Sequence, residues 1–479
     1  MPAIRVITGE STAKIEFRAG ETLLALLQRG GYPISASCGG FGKCGKCALT
    51  VEFGGVRETR LACRSEACEG MTVYLDADSA ADKAEILPSM QTDGADGAGL
   101  VVDIGTTTLA FYFLDLKTGR ALSVRSILNP QRSFGADVIS RISFADANGI
   151  EPMQRVLSDA IRAEIAAFSR ESGRKLRTLA VTGNTVMLHI FAGEPISSFG
   201  RYPFTPVFLE KRVYEGRELG YDAEKVVLLP SFASFVGADI VCGAIAAELE
   251  TQNAILVDLG TNGEILMHCG NSFFATSVAA GPAFEGADIE CGMGGVKGAV
   301  CAVRKGESGT ILETIGNEKA SGICGAGLID AVACMLDEGI IDETGAFELE
   351  GDRWHLTDTV YISAKDVRKF QLAKSAVRSG LEILLARAEE AGARIDKLYI
   401  CGGLGVHIRE ESALRVGLIP ESLRGRIFAA GNTAGLGACM CMLRAETMKK
   451  AQALARRCEI LDLATNPDFM DLFAENMLF

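Results

Sequence analysis

The run Cys38-Gly-Gly-Phe-Gly-Lys-Cys44-Gly-Lys-Cys47 constrains this chain more than any other stretch. Four glycines sit among three cysteines. Glycine tolerates positive φ and lets backbone N–H groups approach closely, so the segment suits a loop wrapped around an inorganic centre. Cys63 supplies a fourth thiol from further along, and Cys68 is read as a bystander. The chain has 15 cysteines in all. Its N-terminus, MPAIRVITGE, lacks the charged start and apolar core of a secretory signal, and no stretch approaches 18 uncharged apolar residues. The expectation is a cytoplasmic chain off the membrane, where thiols stay reduced and cysteines do not form a disulfide framework.

The spacing is Cys-x5-Cys-x2-Cys-x15-Cys. It resembles the [2Fe–2S] ferredoxins of β-grasp fold, in the variant with five residues in the first gap rather than the plant-type four. Zinc is the alternative, but tetrahedral zinc sites usually pair two short knuckles, and Cys63 has no near neighbour except Cys68. Reduced structural thiols are the plainest reading. Short strands over 4–8, 13–17, 47–52 and 71–75, with an amphipathic helix over 21–29, fit a small strand-rich module. Lys43, Lys46, Arg60 and Arg64 flank the ligands, either solvating the loop or offsetting cluster charge.

At 479 residues the chain is too long for one ordinary domain. Its net charge of −13 argues against nucleic acid as a partner. Residues 77–97 are small, acidic and poor in large apolar groups, so they read as a linker. Beyond it, Asp103-Ile-Gly105-Thr106-Thr107-Thr108 and Asp258-Leu-Gly260-Thr261-Asn262-Gly263 each follow an apolar run and precede another, as in a strand–turn–strand hairpin. An aspartate at such a turn can hold a hydrated Mg²⁺, while the turn N–H groups and hydroxyls hold phosphate oxygens. One such hairpin is most often just a turn; two in matching positions imply duplicated halves clamping one polyphosphate. A third element, Lys397 to Gly405, is an apolar strand ending in Gly402-Gly403-Leu-Gly405, where bare backbone suits a nucleoside. In this order the three elements resemble the actin-like ATPase superfamily of sugar kinases and chaperones, with two α/β lobes around a cleft. There is no Gly-x4-Gly-Lys-Ser/Thr motif, which disfavours a P-loop enzyme. The expected division is 1–80 ferredoxin-like, 81–98 linker, 99–254 first lobe and 255–479 second lobe with C-terminal helices.

Other stretches divide between packing and ligand contact. They are Gly183-Asn184-Thr185, 231–240, 279–292 and a glycine-rich helix at 321–333 packed on another helix. The polar segment Asn129-Pro-Gln131 with Phe134 to Arg141 reads either as a capped surface helix or as a wall of the cleft. Lys374 and Arg378, one turn apart, read as an exposed charged face.

The combination resembles the reductive activators of corrinoid-dependent enzymes. The four cysteines, both hairpins, FGADVISRI at 134–142, AGPAFEGADI at 280–289, QLAKSAVRSG at 371–380 and the tail from Asn466 carry the resemblance over nearly the whole chain. Some members have an extra domain after the iron–sulfur module; here only a short linker lies between. The resemblance implies a [2Fe–2S] cluster on Cys38, Cys44, Cys47 and Cys63, ATP with Mg²⁺ in the cleft, and an α/β fold with a β-grasp module. It places Asp103 and Asp258 at the metal and attacking water. Gly105, Thr106, Thr107, Thr108, Gly260, Thr261 and Asn262 would lie at the phosphates, and Gly402, Gly403 and Gly405 at the nucleoside. The implied activity is ATP-dependent electron transfer to the cobalt(II) corrinoid of a methyltransferase-system protein, fed by an external low-potential donor, in a homodimer joined through the ATPase part. Rival classes are an actin-fold small-molecule kinase, an electron carrier with a degenerate ATPase core, and an activator of radical-type dehydratases.

Overall fold

The computed structural model describes residues 2–8, 11–18, 20–29, 32, 47–75, 90–260, 262–306, 309–348, 350–402 and 408–479. The N-terminal part contains β1 (Ala3–Thr8), β2 (Ser11–Glu16), α1 (Leu23–Arg29), β3 (Ala48–Phe53), β4 (Val56–Leu61) and β5 (Thr72–Leu75). They form one sheet in the order β2-β1-β5-β3-β4, with β1 and β5 parallel and the other pairs antiparallel. Leu23, Leu24, Leu26 and Leu27 of α1 share a small core with Ile4, Val6, Val51 and Val73. The strand β4 has no signature in the sequence. Residues 56–59 are all exposed, so the apolar–polar alternation that marks a half-buried strand is missing.

The next part contains β6 (Ala98–Ile104), β7 (Thr108–Asp115), β8 (Ala121–Leu128), α2 (Val138–Asn148), α3 (Glu151–Ser172), β9 (Leu176–Gly183), α4 (Thr185–Ala192), β10 (Arg212–Glu215), β11 (Ala223–Leu228) and α5 (Ala238–Ala246). Its sheet runs β10-β11-β9-β6-β7-β8. The last part begins with β12 (Ala254–Leu259), β13 (Gly263–Cys269) and β14 (Ser272–Val278). A side sheet follows, of β15 (Ala299–Gly306), β16 (Gly309–Thr314) and β17 (Gly322–Ile323), with α6 (Gly325–Asp337) against it. Then come the hairpin of β18 (Arg353–His355) and β19 (Tyr361–Ser363), α7 (Ala364–Glu390), β20 (Lys397–Cys401), α8 (Glu410–Arg415), β21 (Ile427–Gly431), α9 (Thr433–Leu443), α10 (Ala445–Arg457), β22 (Cys458–Ile460) and α11 (Phe469–Glu475). The main sheet is β21-β20-β12-β13-β14-β22.

The two large sheets share a topology. The order β8-β7-β6-β9-β11 in the first matches β14-β13-β12-β20-β21 in the second. In each, the first two strands form an antiparallel hairpin and the later strands add in parallel beside the first. The echo between the Asp103 and Asp258 segments is therefore a structural duplication, an actin-like ATPase fold.

The lobes are joined by a crossing of α5 with α9. A side-chain carbon on Gly437 of α9 would lie 1.8 Å from the carbonyl oxygen of Cys242 in α5, so backbone meets backbone there. Cys242, Cys439 and Cys441 are small buried residues of this seam. The helix α6 is tight for a similar reason against a strand, and it also packs on the helix α8. Gly327 lies where a side chain would meet the Val300 carbonyl of β15.

Lys374 and Arg378 do not form an exposed face. Lys374 is 1% exposed; it donates to the Leu478 carbonyl and faces the Phe479 ring at 5.0 Å. Gln371 donates to the Met477 carbonyl at 2.8 Å and Ser375 to the Phe473 carbonyl, so this side of α7 holds α11 and the tail. Burial pushes the Lys374 ammonium down to about 8. No described helix is long and apolar enough to cross a membrane.

Replacing Gly437 with valine should force α9 off α5 and destabilise the protein by about 1–3 kcal/mol. A matching fall in the denaturation midpoint, with the sheet of the N-terminal part left intact, is the expected reading.

Candidate active site

The first hairpin joins β6 to β7 through Gly105, Thr106 and Thr107. A side chain on Gly105 would approach the Thr108 carbonyl oxygen to 2.8 Å, so the turn closes only with glycine there. The segment after β8 takes its carbonyls one by one. Asn129 Nδ2 donates to Gly105 O at 2.8 Å, the Asn129 amide to Thr107 O at 2.8 Å, and the Arg141 guanidinium to Thr106 O. The polar stretch from Asn129 to Arg141 thus supports the turn from behind. Its Asp137 also caps α2 by accepting from the Ser140 amide at 2.6 Å.

The second hairpin joins β12 to β13 through Gly260 and Asn262. Beside it, β20 runs parallel to β12 with Cys401 opposite Asp258. The next residue, Gly402, has φ of +81°, and a side chain there would sit 2.9 Å from Asp258 Oδ1. The third glycine-rich element is therefore packed directly on the second aspartate. Thr261, Gly403 and Gly405 lie outside the described residues, as do Cys38 and Cys44.

The two hairpins face one another across the cleft between the lobes. Thr107 Oγ1 donates to Glu285 Oε2 at 2.5 Å, and Glu285 also lies against Gly260. Asn432, which caps α9, donates from Nδ2 to Asp103 Oδ2 at 2.9 Å. Asn184, at the end of β9, donates to Glu264 Oε1 of β13 at 3.1 Å, and the Gly237 amide reaches the same oxygen at 3.4 Å. These contacts join residues far apart in sequence at the carboxyl ends of β6, β9, β12 and β21, the edge where open α/β sheets place ligands. Gly105, Thr106, Thr107, Gly260, Asn262 and Gly402 all lie at this edge. Thr108 is already the first residue of β7 and is exposed.

Five carboxylates line the cleft: Asp103, Asp239, Asp258, Glu264 and Glu285. Burial, opposed by the Asn432 bond, pushes Asp103 up to about 6. Burial and then the charges of Asp103 and Glu285 raise Asp258 to about 7. Burial, Asp258 and Asp103 take Asp239 to about 8, and burial with Asp239 and Asp258 moves Glu264 upward as well. Among the described residues, no three acidic, histidine or cysteine side chains converge tightly enough to ligate one ion directly. A cation here would keep much of its water shell, as Mg²⁺ commonly does.

Asp239, Glu264, Glu285 and Asn432 carry no site assignment from the sequence. Gly-Ala-Asp recurs at 135–137, 237–239 and 286–288, and once more at 94–96 in the exposed stretch before β6. The first aspartate caps a helix, the second faces the cleft from the start of α5, and Asp288 is exposed with φ of 63°. The tripeptide reads as a helix start or a turn in every case, and only the three-dimensional contacts separate them.

In the N-terminal part, Cys47 follows the loop and leads into β3, and Cys63 sits in the short turn after β4. Their sulfurs are 3.3 Å apart. That is far longer than a disulfide and close enough for both to bind one metal atom. Cys47 is buried, and Cys68 points its thiol at the Glu66 carbonyl instead, at 3.8 Å. The residues present fit a thiolate-held iron–sulfur centre.

Asp239 binds protons more tightly folded than unfolded, so its ionisation costs stability as pH rises from about 4 to about 8. Asp239→Asn should therefore raise the melting temperature at pH 8, and the gain should be much smaller at pH 5 and vanish below about pH 4; equal gains at pH 8 and pH 5 would contradict this role for burial and charge.

Residues 7–71 match the 2Fe-2S iron-sulfur cluster binding domain, 98–252 the RACo middle region, and 252–479 the C-terminal domain of RACo, the ASKHA domain. A corrinoid activation enzyme, RamQ, from Eubacterium limosum is 26% identical, with 94% of each chain covered. A [Co(II) methylated amine-specific corrinoid protein] reductase from Methanosarcina barkeri is 26% identical over 78% of this chain and 76% of its own. The solved structure of a reductive activator for corrinoid, iron-sulfur protein superposes with a TM-score of 0.72 at 23% identity, covering 99% of this chain and 98% of that one. With the iron–sulfur binding domain, the middle region and the ASKHA domain in this order, the chain belongs to the RACo family of corrinoid reductive activators.

Proposed function

We propose that this protein is an ATP-dependent reductive activator that restores cobalt(I) in the corrinoid protein of a methyltransferase system. The observation that carries the reading is the joining, in one chain, of two thiols at single-metal spacing to a cleft with an Asp-x-Gly-Thr hairpin from each lobe. The relatives named for corrinoid activation and corrinoid reduction support the substrate class.

Cys38, Cys44, Cys47 and Cys63 hold the [2Fe–2S] cluster, which when bound supplies single electrons at low potential. Each ~100 mV of uphill transfer costs about 2.3 kcal/mol per electron, which is the reason to couple it to ATP. Asp103 and Asp258 hold the water shell of Mg²⁺, which when bound offsets phosphate charge. Asn432 orients Asp103, and Gly402 keeps the surface beside Asp258 bare for the nucleoside, with Gly403 and Gly405. The turn amides and hydroxyls at 105–108 and 260–262 bind phosphate oxygens. Asp239, which burial and its acidic neighbours make a stronger proton acceptor than an ordinary carboxylate once it is ionised, takes a proton from the attacking water. Nucleotide contacts to both hairpins draw the lobes together, and this closure gates docking of the corrinoid protein. An external low-potential donor reloads the N-terminal module, residues 1–80. The chain acts as a homodimer through its ATPase part, in the cytoplasm.

Mixing reduced protein with a cobalt(II) corrinoid protein, with and without ATP, tests this: the cobalt(I) absorption band should appear in full only with ATP, and equal yields would remove ATP from the mechanism. The two halves should also separate by mutation. Asp103→Asn should lower ATP hydrolysis by about a hundredfold while leaving the iron–sulfur spectrum intact. Cys63→Ser should cut cobalt reduction by at least about tenfold while nucleotide binding persists.

A further inference from the structure

Arg141 is 0% exposed, and none of the contacts across the cleft explains why a full positive charge is buried there. Its guanidinium donates to the Thr106 carbonyl, to the Gly135 carbonyl at 3.2 Å and to Gln131 Oε1 at 3.4 Å, and lies 3.0 Å from the Met187 sulfur. Among the described residues no carboxylate pairs with it directly. A buried cation without a paired anion is costly, and such a cost is tolerated where a ligand brings the missing charge. The negative charges that act on it most are Glu285 and Asp137. Glu285 comes from the opposite lobe and rests on Thr107 of the same turn.

The directions of the peptide planes point the same way. In a trans peptide the carbonyl and the following N–H point opposite ways. Arg141 takes the Thr106 carbonyl, so the Thr107 N–H is turned away from Arg141. Asn129 takes the Gly105 carbonyl, and the Thr106 N–H is turned away with it. The Thr107 hydroxyl, on that far side, already meets a carboxylate of the other lobe. The turn thus presents donors to the cleft because its acceptors are drawn backward, and the strongest of the groups drawing them is a cation.

We propose that Arg141 is the positioning residue of the phosphate site, fixing the amides of the Thr106–Thr107 turn and supplying through the turn the positive charge that a bound nucleotide's phosphates complete. This rests on the nucleotide reading of the cleft. It assigns Arg141 to the phosphates and not to the nucleoside, so its effect must grow with the number of phosphates. A residue that merely holds the lobe together would weaken every adenine ligand alike.

The test is calorimetric titration of the full-length protein with adenosine, AMP, ADP and ATP in the presence of Mg²⁺, for wild type, Arg141→Met and Arg141→Lys. Arg141→Met should weaken ADP and ATP by about 10- to 100-fold and leave adenosine within about twofold. Arg141→Lys, which keeps the charge but not the planar fork, should fall between the two. The proposed role is overturned if Arg141→Met binds ADP as wild type does, or loses adenosine and ADP equally. If Arg141→Met does not fold, Arg141→Lys alone decides: ADP weakened at least about threefold with adenosine unchanged supports the role, and wild-type affinities throughout overturn it. Wild type that binds no adenine nucleotide would overturn the cleft reading itself, and the role of Arg141 with it. Where wild type binds normally, any loss in the variants is due to Arg141 alone.

Discussion

Everything at the cleft depends on how closely α9 can approach α5. Each helix follows the last parallel strand of its own lobe, and each is hydrophobic enough to be buried by the other. Gly437 lets the backbones touch at the Cys242 carbonyl, and the small thiols around them fill the seam without separating the helices. The lobes meet at this contact, and α9 packs as well on β6, β7 and β9 of the first lobe. The crossing sets the distance at which the Asp103 and Asp258 hairpins meet, and so decides whether Asn432 can span to Asp103 and Thr107 to Glu285. A larger residue at the crossing would leave both hairpins well formed and out of reach of each other.

Much of this was legible in the sequence, for definite reasons. The hairpins announce themselves because each couples a buried apolar strand to a polar, glycine-bearing turn, a pattern with few other uses. Their duplication could be read because the turn chemistry repeats. The strand β4 was invisible because none of its residues from 56 to 59 is buried, and periodicity reports burial, not hydrogen bonding. Lys374 misleads for the opposite reason. A lysine beside an arginine on a helix ordinarily faces water, and only the return of the chain terminus, whose carbonyls bond to α7, makes burial tolerable. Asp239 and Glu285 could not be singled out, because the tripeptide that holds Asp239 caps a helix elsewhere in the chain and Glu285 stands in an ordinary turn. Their role arises from convergence of distant segments.

The cleft also carries an electrostatic imbalance that separates its two sides. The face built from strand ends is crowded with carboxylates that burial and mutual repulsion make reluctant to ionise. Behind the first hairpin lies one buried cation, Arg141. A polyphosphate accompanied by a divalent cation would answer both: the metal would meet the acids and the phosphates the amides and the field of Arg141. A neutral or purely cationic ligand would satisfy one side and leave the other in deficit.

The contact between Gly437 and Cys242 has a mechanical consequence. Helices that interlock through side-chain ridges resist turning, because a ridge must climb out of its groove before the angle can change. At the Gly437–Cys242 contact no side-chain ridge stands between the helices, so the angle between their axes meets less resistance there than at an interlocked crossing. The joint is therefore a pivot more than a slide. A rotation of one lobe on the other about this seam would be smallest there and grow with distance from it, so a shift of a fraction of an ångström at the two hairpin turns would become a larger one at the outer strands.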